Sequence, residues 1–163
     1  FKFDIHGTSY IFEISKSNYD SNIQSYLDIE DAKGLYNKDI YDKFVSNSKK
    51  VTSELKSIVE SYKNDGYTII GYGAAAKGMT LLNFGNINMD LIIDDNELKH
   101  KLYTPGMNIL IEDISILGKI NDKVVFIPLA WNFYNEIYKK IKTVRNNEND
   151  IFIKYFPNIE IKK

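Results

Sequence analysis

Apolar and polar positions change period several times along this chain, and each change marks an element. Over residues 1–15, Phe3, Ile5, Tyr10, Phe12 and Ile14 alternate with polar residues around Gly7, which predicts extended structure, with a hairpin as one alternative but no obvious partner strand nearby. Residues 16–37 are polar, apart from a short helical pattern at Ile23, Tyr26, Leu27 and Ile29 that stops at Gly34. Asn37 then reads as an N-cap. Behind it Ile40, Tyr41, Phe44, Val45, Val51, Leu55, Ile58, Val59 and Tyr62 recur at three and four residues. That spacing predicts a long amphipathic helix over 38–64, ended by Asp65-Gly66. After Gly66 the period shortens. The runs Thr68–Tyr72, Met89–Ile93, Asn108–Ile111, Val124–Pro128 and Ile151–Tyr155 read as strands, and the stretches 75–84, 112–117 and 132–146 as helices. Strands joined by helical crossovers imply an α/β fold with a mostly parallel sheet, covered by helices on both faces.

Ligands of such sheets sit at the carboxyl ends of strands, near a reversal in strand order. One strand end here carries a clear signal. The run Thr68-Ile-Ile-Gly-Tyr-Gly-Ala-Ala-Ala-Lys-Gly-Met-Thr-Leu-Leu-Asn-Phe84 is a strand that turns sharply into a helix. Gly71 and Gly73 permit the tight turn and a close ligand approach, and the alanines let helix and strand pack tightly. Gly71-x-Gly73-x-x-Ala76 fits the Gly/Ala form of the dinucleotide fingerprint. The chain is therefore expected to adopt a Rossmann-like three-layer αβα fold with a mostly parallel sheet, preceded by a strand and a long helix. The first helical turn offers backbone N–H groups to an anion such as phosphate, and Lys77 adds positive charge there.

Composition removes several classes. A chain of 163 residues is long enough to bury one core of its own. The net charge is −1, with the charges mixed along the chain, which argues against an electrostatic nucleic-acid binder. Without cysteine there are no disulfides or thiolate zinc sites, and two histidines are too few for a typical zinc site. No apolar stretch approaches the roughly 20 residues that a membrane span needs. No signal peptide is evident, so a cytoplasmic protein is expected.

Four motifs occur in order: Gly71-Tyr-Gly-Ala-Ala-Ala-Lys-Gly-x-Thr-Leu-Leu-Asn-Phe84, Ile93-Asp-Asp-Asn96, Tyr103-Thr-Pro-Gly106 and Pro128-Leu-Ala-Trp-Asn132. Together they resemble the C-terminal domain of the sugar-nucleotide C-methyltransferases, which build branched deoxysugars from nucleoside-diphosphate keto-sugars. His6-Gly-Thr-Ser9 resembles the end of that family's central domain, and Glu30 to Leu35 the connecting helix that follows. The resemblance implies three parts: residues 1–15 as the tail of a preceding methyltransferase domain, 16–37 as a helical linker, and 38–163 as the Rossmann-like domain. It also implies S-adenosylmethionine as the cofactor of the complete enzyme, not bound by this chain, and a nucleoside-diphosphate sugar as the ligand here. The zinc cysteines, the central cofactor loop and the proton-abstracting Tyr/Glu/His cluster of the family would belong to chain ahead of Phe1. Locally the chain departs from the family at Thr8, Met79, Leu102 and Met107, which bears on sugar specificity.

The candidate binding residues are Tyr72, Gly73, Ala74, Ala75, Lys77, Gly78, Thr80, Asp94, Tyr103, Pro105, Gly106, Trp131 and Asn132, with none expected to be catalytic. Lys77 at a helix start is slightly disfavoured by the dipole, a reason to expect an anion beside it. Thr80 could reach the same phosphate. Asp94 stands about twenty residues after the glycine turn, where a ribose-binding acid is usual; Asp94-Asp95-Asn96 is equally good Asx-turn chemistry. Tyr103-Thr-Pro-Gly106 is a turn by composition, and the resemblance places it against the sugar nucleotide. Trp131 could stack on a base or close the core edge, while Asn132 reads as an N-cap. His6 reads as structural, with a site at the domain interface the minority alternative. A free-standing Rossmann-type regulatory module is the competing function. An NAD-dependent oxidoreductase is the third, for which no convincing hydride-site acid follows.

Overall fold

The computed structural model describes residues 2–3, 9–16 and 22–163, and its contacts divide the chain into two compact units, Phe1–Asn47 and Ser48–Lys163. In the first unit β1 (Lys2–Phe3) pairs antiparallel with β2 (Ser9–Tyr10), so the extended segment does find a partner within itself. Ile5 and the His6-Gly-Thr stretch lie outside the described residues. α1 (Ile23–Ala32) forms where the short helical pattern falls, with none of its residues buried. It stops as expected at Gly34, whose φ of 72° lets the Leu35 amide turn back onto the Glu30 carbonyl at 3.0 Å. The long helix α2 (Lys38–Asn64) has the predicted limits. Gly66 ends it at φ 79°, and the Tyr67 amide bonds to the Tyr62 carbonyl at 3.0 Å.

The second unit holds β3 (Thr68–Tyr72), α3 (Ala76–Gly85), β4 (Leu91–Ile93), β5 (Ile111–Glu112), β6 (Val124–Pro128), α4 (Tyr134–Val144), β7 (Ile151–Lys154) and β8 (Glu160–Lys162). They form one six-stranded sheet in the order β5-β4-β3-β6-β7-β8, parallel throughout except for β8, which runs antiparallel to β7. Strand alternation sends Ile69 and Ile70 of β3 into different cores. On one face Leu55 and Val59 of α2 and Leu82 of α3 pack with Ile69, Ile92, Val125, Ile127 and Ile151. On the other, Tyr134, Ile137 and Ile141 of α4 pack with Ile70, Ile93, Phe126 and Phe152, together with Leu117 from the 3₁₀ segment Ile114–Lys119. The expected three-layer α/β architecture is thus present.

Several boundaries differ from the sequence reading, each for a local reason. β4 starts at Leu91 rather than Met89 because the Asp90 carboxylate takes the Ile69 amide at 2.8 Å, in place of a strand carbonyl. β5 is shorter than the run Asn108–Ile111. Asn108 is left-handed at φ 54°, and Thr104 Oγ1 accepts the Ile109 amide at 3.0 Å, so this stretch is spent on a turn. The helix expected over 112–117 is the 3₁₀ segment, with Asp113 capping the Ser115 amide at 2.8 Å. Asn132 is not the N-cap of α4. It sits inside a 3₁₀ turn, Trp131–Phe133, and Phe133 occupies the cap position without a side-chain bond. β8 is exposed throughout, so no apolar run announces it. A buried ion pair ties the far side of the sheet: Arg145 Nε donates to Asp150 Oδ2 at 2.7 Å and Nη2 to Oδ1 at 3.0 Å. Arg145 also reaches the carbonyls of Ile120 and Asp122, and Asp150 Oδ1 accepts the Val124 amide that opens β6.

Candidate functional site

β3 is followed in space by β4 on one side and β6 on the other, so the strand order reverses between β3 and β6. The connections leaving these two strands diverge there and open a crevice at the carboxyl edge of the sheet. A cleft of about 420 Å³ lies at this point, lined by Tyr72, Gly73, Ala75, Asp94, Asp95, Ala130, Phe133, Glu136, Ile137 and Lys140. Four of the residues proposed from sequence, Tyr72, Gly73, Ala75 and Asp94, share it.

The glycine turn is built by exclusion. A Cβ on Gly71 would stand 2.8 Å from Met89 Sδ, and one on Gly78 would stand 2.7 Å from Leu129 Cβ. The second contact is what seats α3 closely on β6. Gly73 adopts φ 97°, which turns the chain out of β3 toward the helix. Helical bonding starts with the Met79 amide on the Ala75 carbonyl at 3.0 Å, so the amides of Ala76, Lys77 and Gly78 precede the first intrahelical bond. The Ala74 amide is already taken: it donates to Asp94 Oδ2 at 2.7 Å.

Asp94 is nearly buried, with 8% of its side chain exposed, and its carboxylate braces this turn. Besides the Ala74 amide, Oδ2 accepts from Lys99 Nζ at 3.0 Å, and Oδ1 accepts the Asn96 amide at 2.9 Å, an Asx turn. Lys99 Nζ also donates to the Ala74 carbonyl at 3.0 Å. Asp95, by contrast, faces the cleft. Its Oδ1 accepts both the Tyr72 hydroxyl at 2.6 Å and Lys140 Nζ at 2.5 Å. Burial pushes the Asp95 carboxyl up, but the hydrogen bonds from Lys140 and Tyr72 outweigh it and hold the group below the ordinary carboxylate range. Burial, and then the bond to Asp95, push the Tyr72 hydroxyl far above its ordinary value, so it remains a proton donor.

The other proposed residues stand elsewhere. Lys77 does not line the cleft; its Nζ lies 5.4 Å from the centroid of the Trp131 ring, a cation–π distance. Trp131 in turn packs on Phe156 at 4.4 Å between centroids, and borders a smaller depression with Asn132. The Thr80 hydroxyl is turned back onto the Ala76 carbonyl at 3.0 Å. Tyr103, Pro105 and Gly106 form their turn against α3, where Asn83 Nδ2 donates to the Pro105 carbonyl at 3.2 Å and to the Met79 carbonyl at 2.8 Å. Gly106 leaves no room for a side chain, since a Cβ would stand 1.8 Å from Asn83 Oδ1.

Sequence reasoning missed Asp95, Glu136 and Lys140 as cleft residues. Asp95 was legible only as a turn residue. Glu136 and Lys140 are four apart on the helix that follows β6, a spacing that puts both on one face; knowing that β6 neighbours β3 is what turns that face toward the cleft. Among the described residues, no group of three or more His, Asp or Glu could hold a metal ion, and no helix is long and apolar enough to cross a membrane.

A three-layer α/β domain with a glycine-rich turn and a cleft at the reversal of strand order is of the Rossmann-like class. The chain belongs to the C-methyltransferase C-terminal domain family, whose description matches residues 4–157. It is similar to C-methyltransferase NovU of Streptomyces niveus, with 27% identity over 152 residues that cover 88% of this chain. The match spans 36% of that relative's own length.

Proposed function

We propose that this domain binds a nucleoside-diphosphate keto-sugar and orients it for C-methylation by an S-adenosylmethionine-dependent domain elsewhere in a longer polypeptide. One observation carries the reading. In a member of a C-methyltransferase family, a cleft lies at the switch between β3 and β6, beside a glycine turn and the open first turn of α3. A phosphate suits that first turn, where amides precede the first intrahelical bond and Lys77 adds a positive charge to the same turn. The domain contributes positioning: a keto-sugar held in one orientation reaches the methyl donor without the entropic cost of a bimolecular encounter.

S-adenosylmethionine supplies the methyl group in this scheme, and the residues here do not fit it. A cofactor of that type needs the acid after the second strand for its ribose. Here that acid is Asp94, and its carboxylate is spent on the Ala74 and Asn96 amides and on Lys99. The same point counts against an NAD-dependent oxidoreductase.

The test is a titration of UDP- and dTDP-sugars against the wild type and Lys77→Ala, by calorimetry and by amide chemical-shift mapping. Loss of Lys77 should weaken diphosphate binding by about 1–3 kcal/mol, the range for a charge-assisted contact. Equal affinity of both proteins would remove Lys77 from the site. A ligand mapped to the opposite edge of the sheet, or tight binding of S-adenosylmethionine to this chain, would overturn the assignment.

A further inference from the structure

The cleft and the anion seat differ in charge. Three carboxylates, Asp94, Asp95 and Glu136, line the cleft, and Lys140 is the one ammonium that lines it with them. Lys140 is bound to Asp95, as Lys99 is to Asp94. A diphosphate entering here would meet carboxylates first. Lys77, the cation at the start of α3, is outside the cleft and over Trp131.

The two acids of the loop after β4 also differ in what they have left to offer. Asp94 has donors on both oxygens. On Asp95 both donors, the Tyr72 hydroxyl and Lys140 Nζ, converge on Oδ1. Oδ2 has no donor among the described residues, while two anchors from different elements fix the carboxylate that carries it. Beside these charged groups the same cleft has small and apolar lining: Gly73, whose φ of 97° excludes ordinary side chains, Ala130, Phe133 and Ile137. A pre-oriented carboxylate oxygen beside an apolar wall suits a neutral ring that donates hydroxyl hydrogens and packs its C–H face.

We propose that Asp95 is a specificity-determining residue of this domain: its Oδ2 accepts a hydroxyl of a neutral sugar ring in the cleft, so that the sugar, not the diphosphate, lies between β3 and α4. Tyr72 and Lys140 position the carboxylate. The ligand is thereby given a direction, with its phosphates at the first turn of α3 and a hydroxyl-bearing ring toward Glu136 and Lys140. Two rings of a sugar nucleotide share this chemistry, the pentose and the hexose. The proposal rests on the sugar-nucleotide reading above.

The experiment titrates the chain, as wild type, Asp95→Asn and Lys77→Ala, with UDP-glucose, UDP, uridine and inorganic pyrophosphate. Binding is followed by calorimetry or, where weak, by amide shifts, with a thermal melt of each variant as the folding control. Asp95→Asn is expected to weaken UDP-glucose roughly ten- to a hundredfold, as for a hydrogen bond to a charged group, and to leave pyrophosphate unchanged. Lys77→Ala is expected to weaken UDP-glucose and pyrophosphate alike and to leave uridine unchanged. If the loss at Asp95→Asn extends to UDP and uridine, the pentose occupies the cleft; if it is confined to UDP-glucose, the hexose does. Both results support the proposal. Unchanged UDP-glucose binding by Asp95→Asn, tighter binding, or equal loss for pyrophosphate overturns it while the general reading survives. A wild type that binds none of the nucleotide ligands overturns both. Should Asp95→Asn melt below the wild type, Tyr72→Phe and Lys140→Met, each of which removes one anchor, are read against the same ligand pair.

Discussion

Replacing Asp94 should loosen the glycine turn, and the structure sets the size of the effect. Asp94→Ala deletes three contacts: the Ala74 amide at 2.7 Å, the Asn96 amide at 2.9 Å and Lys99 Nζ at 3.0 Å. They do not cost the same. Ala74 is half-buried, so its amide regains water poorly, and stranding it costs about 1–3 kcal/mol. Asn96 is exposed, and water replaces most of its bond, leaving about 0.5 kcal/mol. Lys99, 36% exposed, keeps the Ala74 carbonyl and loses an ion pair discounted by solvent to about 0.5 kcal/mol. The sum is roughly 2–4 kcal/mol. Asp94→Asn should cost less, about 1–2 kcal/mol, because its carbonyl oxygen can still take the Ala74 amide while its NH₂ faces the exposed Asn96 amide. Urea unfolding at neutral pH, extrapolated linearly, measures both. An Asp94→Ala cost below about 1 kcal/mol, or an Asn variant less stable than the Ala one, would refute the brace.

Other expectations follow from single contacts. Gly78→Ala should destabilise by about 1–3 kcal/mol, because its Cβ would stand 2.7 Å from Leu129 Cβ, an atom fixed to the β6 end; thermal unfolding measures it, and a neutral result would mean α3 can lift off the sheet freely. Asp150→Ala should cost about 3–5 kcal/mol by leaving Arg145, 7% exposed, charged and without its carboxylate partner. Urea unfolding reads that loss too, and a cost near that of an exposed ion pair would refute it. Asp95 has a folded-state pKa below its ordinary value of 3.8, so its stabilisation is present above that pH and is lost as pH falls through the lower folded value. Acid unfolding of Asp95→Asn should therefore be shallower than that of the wild type below about pH 4, and parallel curves would count against the Tyr72–Asp95–Lys140 cluster.

The parts of the fold legible in the sequence were those whose periodicity is enforced by burial. β3 and β6 are central strands, covered on both faces, and their limits coincide with their apolar runs. α2 was equally legible, since its repeat at three and four residues ends at a glycine with positive φ. The misplaced boundaries fall where side chains substitute for backbone partners, as Asp90 does before β4 and Thr104 does before β5. Such substitution leaves no periodic trace. β8 was invisible because an exposed edge strand has no buried face to impose alternation. For the site, the glycine turn was legible because backbone geometry demands glycine there. The cleft's far wall was not, because Glu136 and Lys140 reach it only through the reversal of strand order, which is a long-range fact.

The consecutive acids after β4 allow two properties that usually change together to be separated. One carboxylate is buried against the turn that shapes the site, and its neighbour reaches α4 across the cleft. The first is committed to backbone amides and Lys99, so its loss should appear in unfolding free energy whether or not ligand is present. The second is exposed and committed on one oxygen only, so its loss should appear chiefly in affinity. A single-residue shift along the chain is thus expected to exchange a stability phenotype for a binding phenotype. If both variants lost stability equally and affinity equally, the loop would be acting as one unit, and assigning separate tasks to Asp94 and Asp95 would fail. If only Asp94→Ala is unstable and only Asp95→Asn is deficient in ligand, the loop after β4 is a brace on one side and a recognition element on the other.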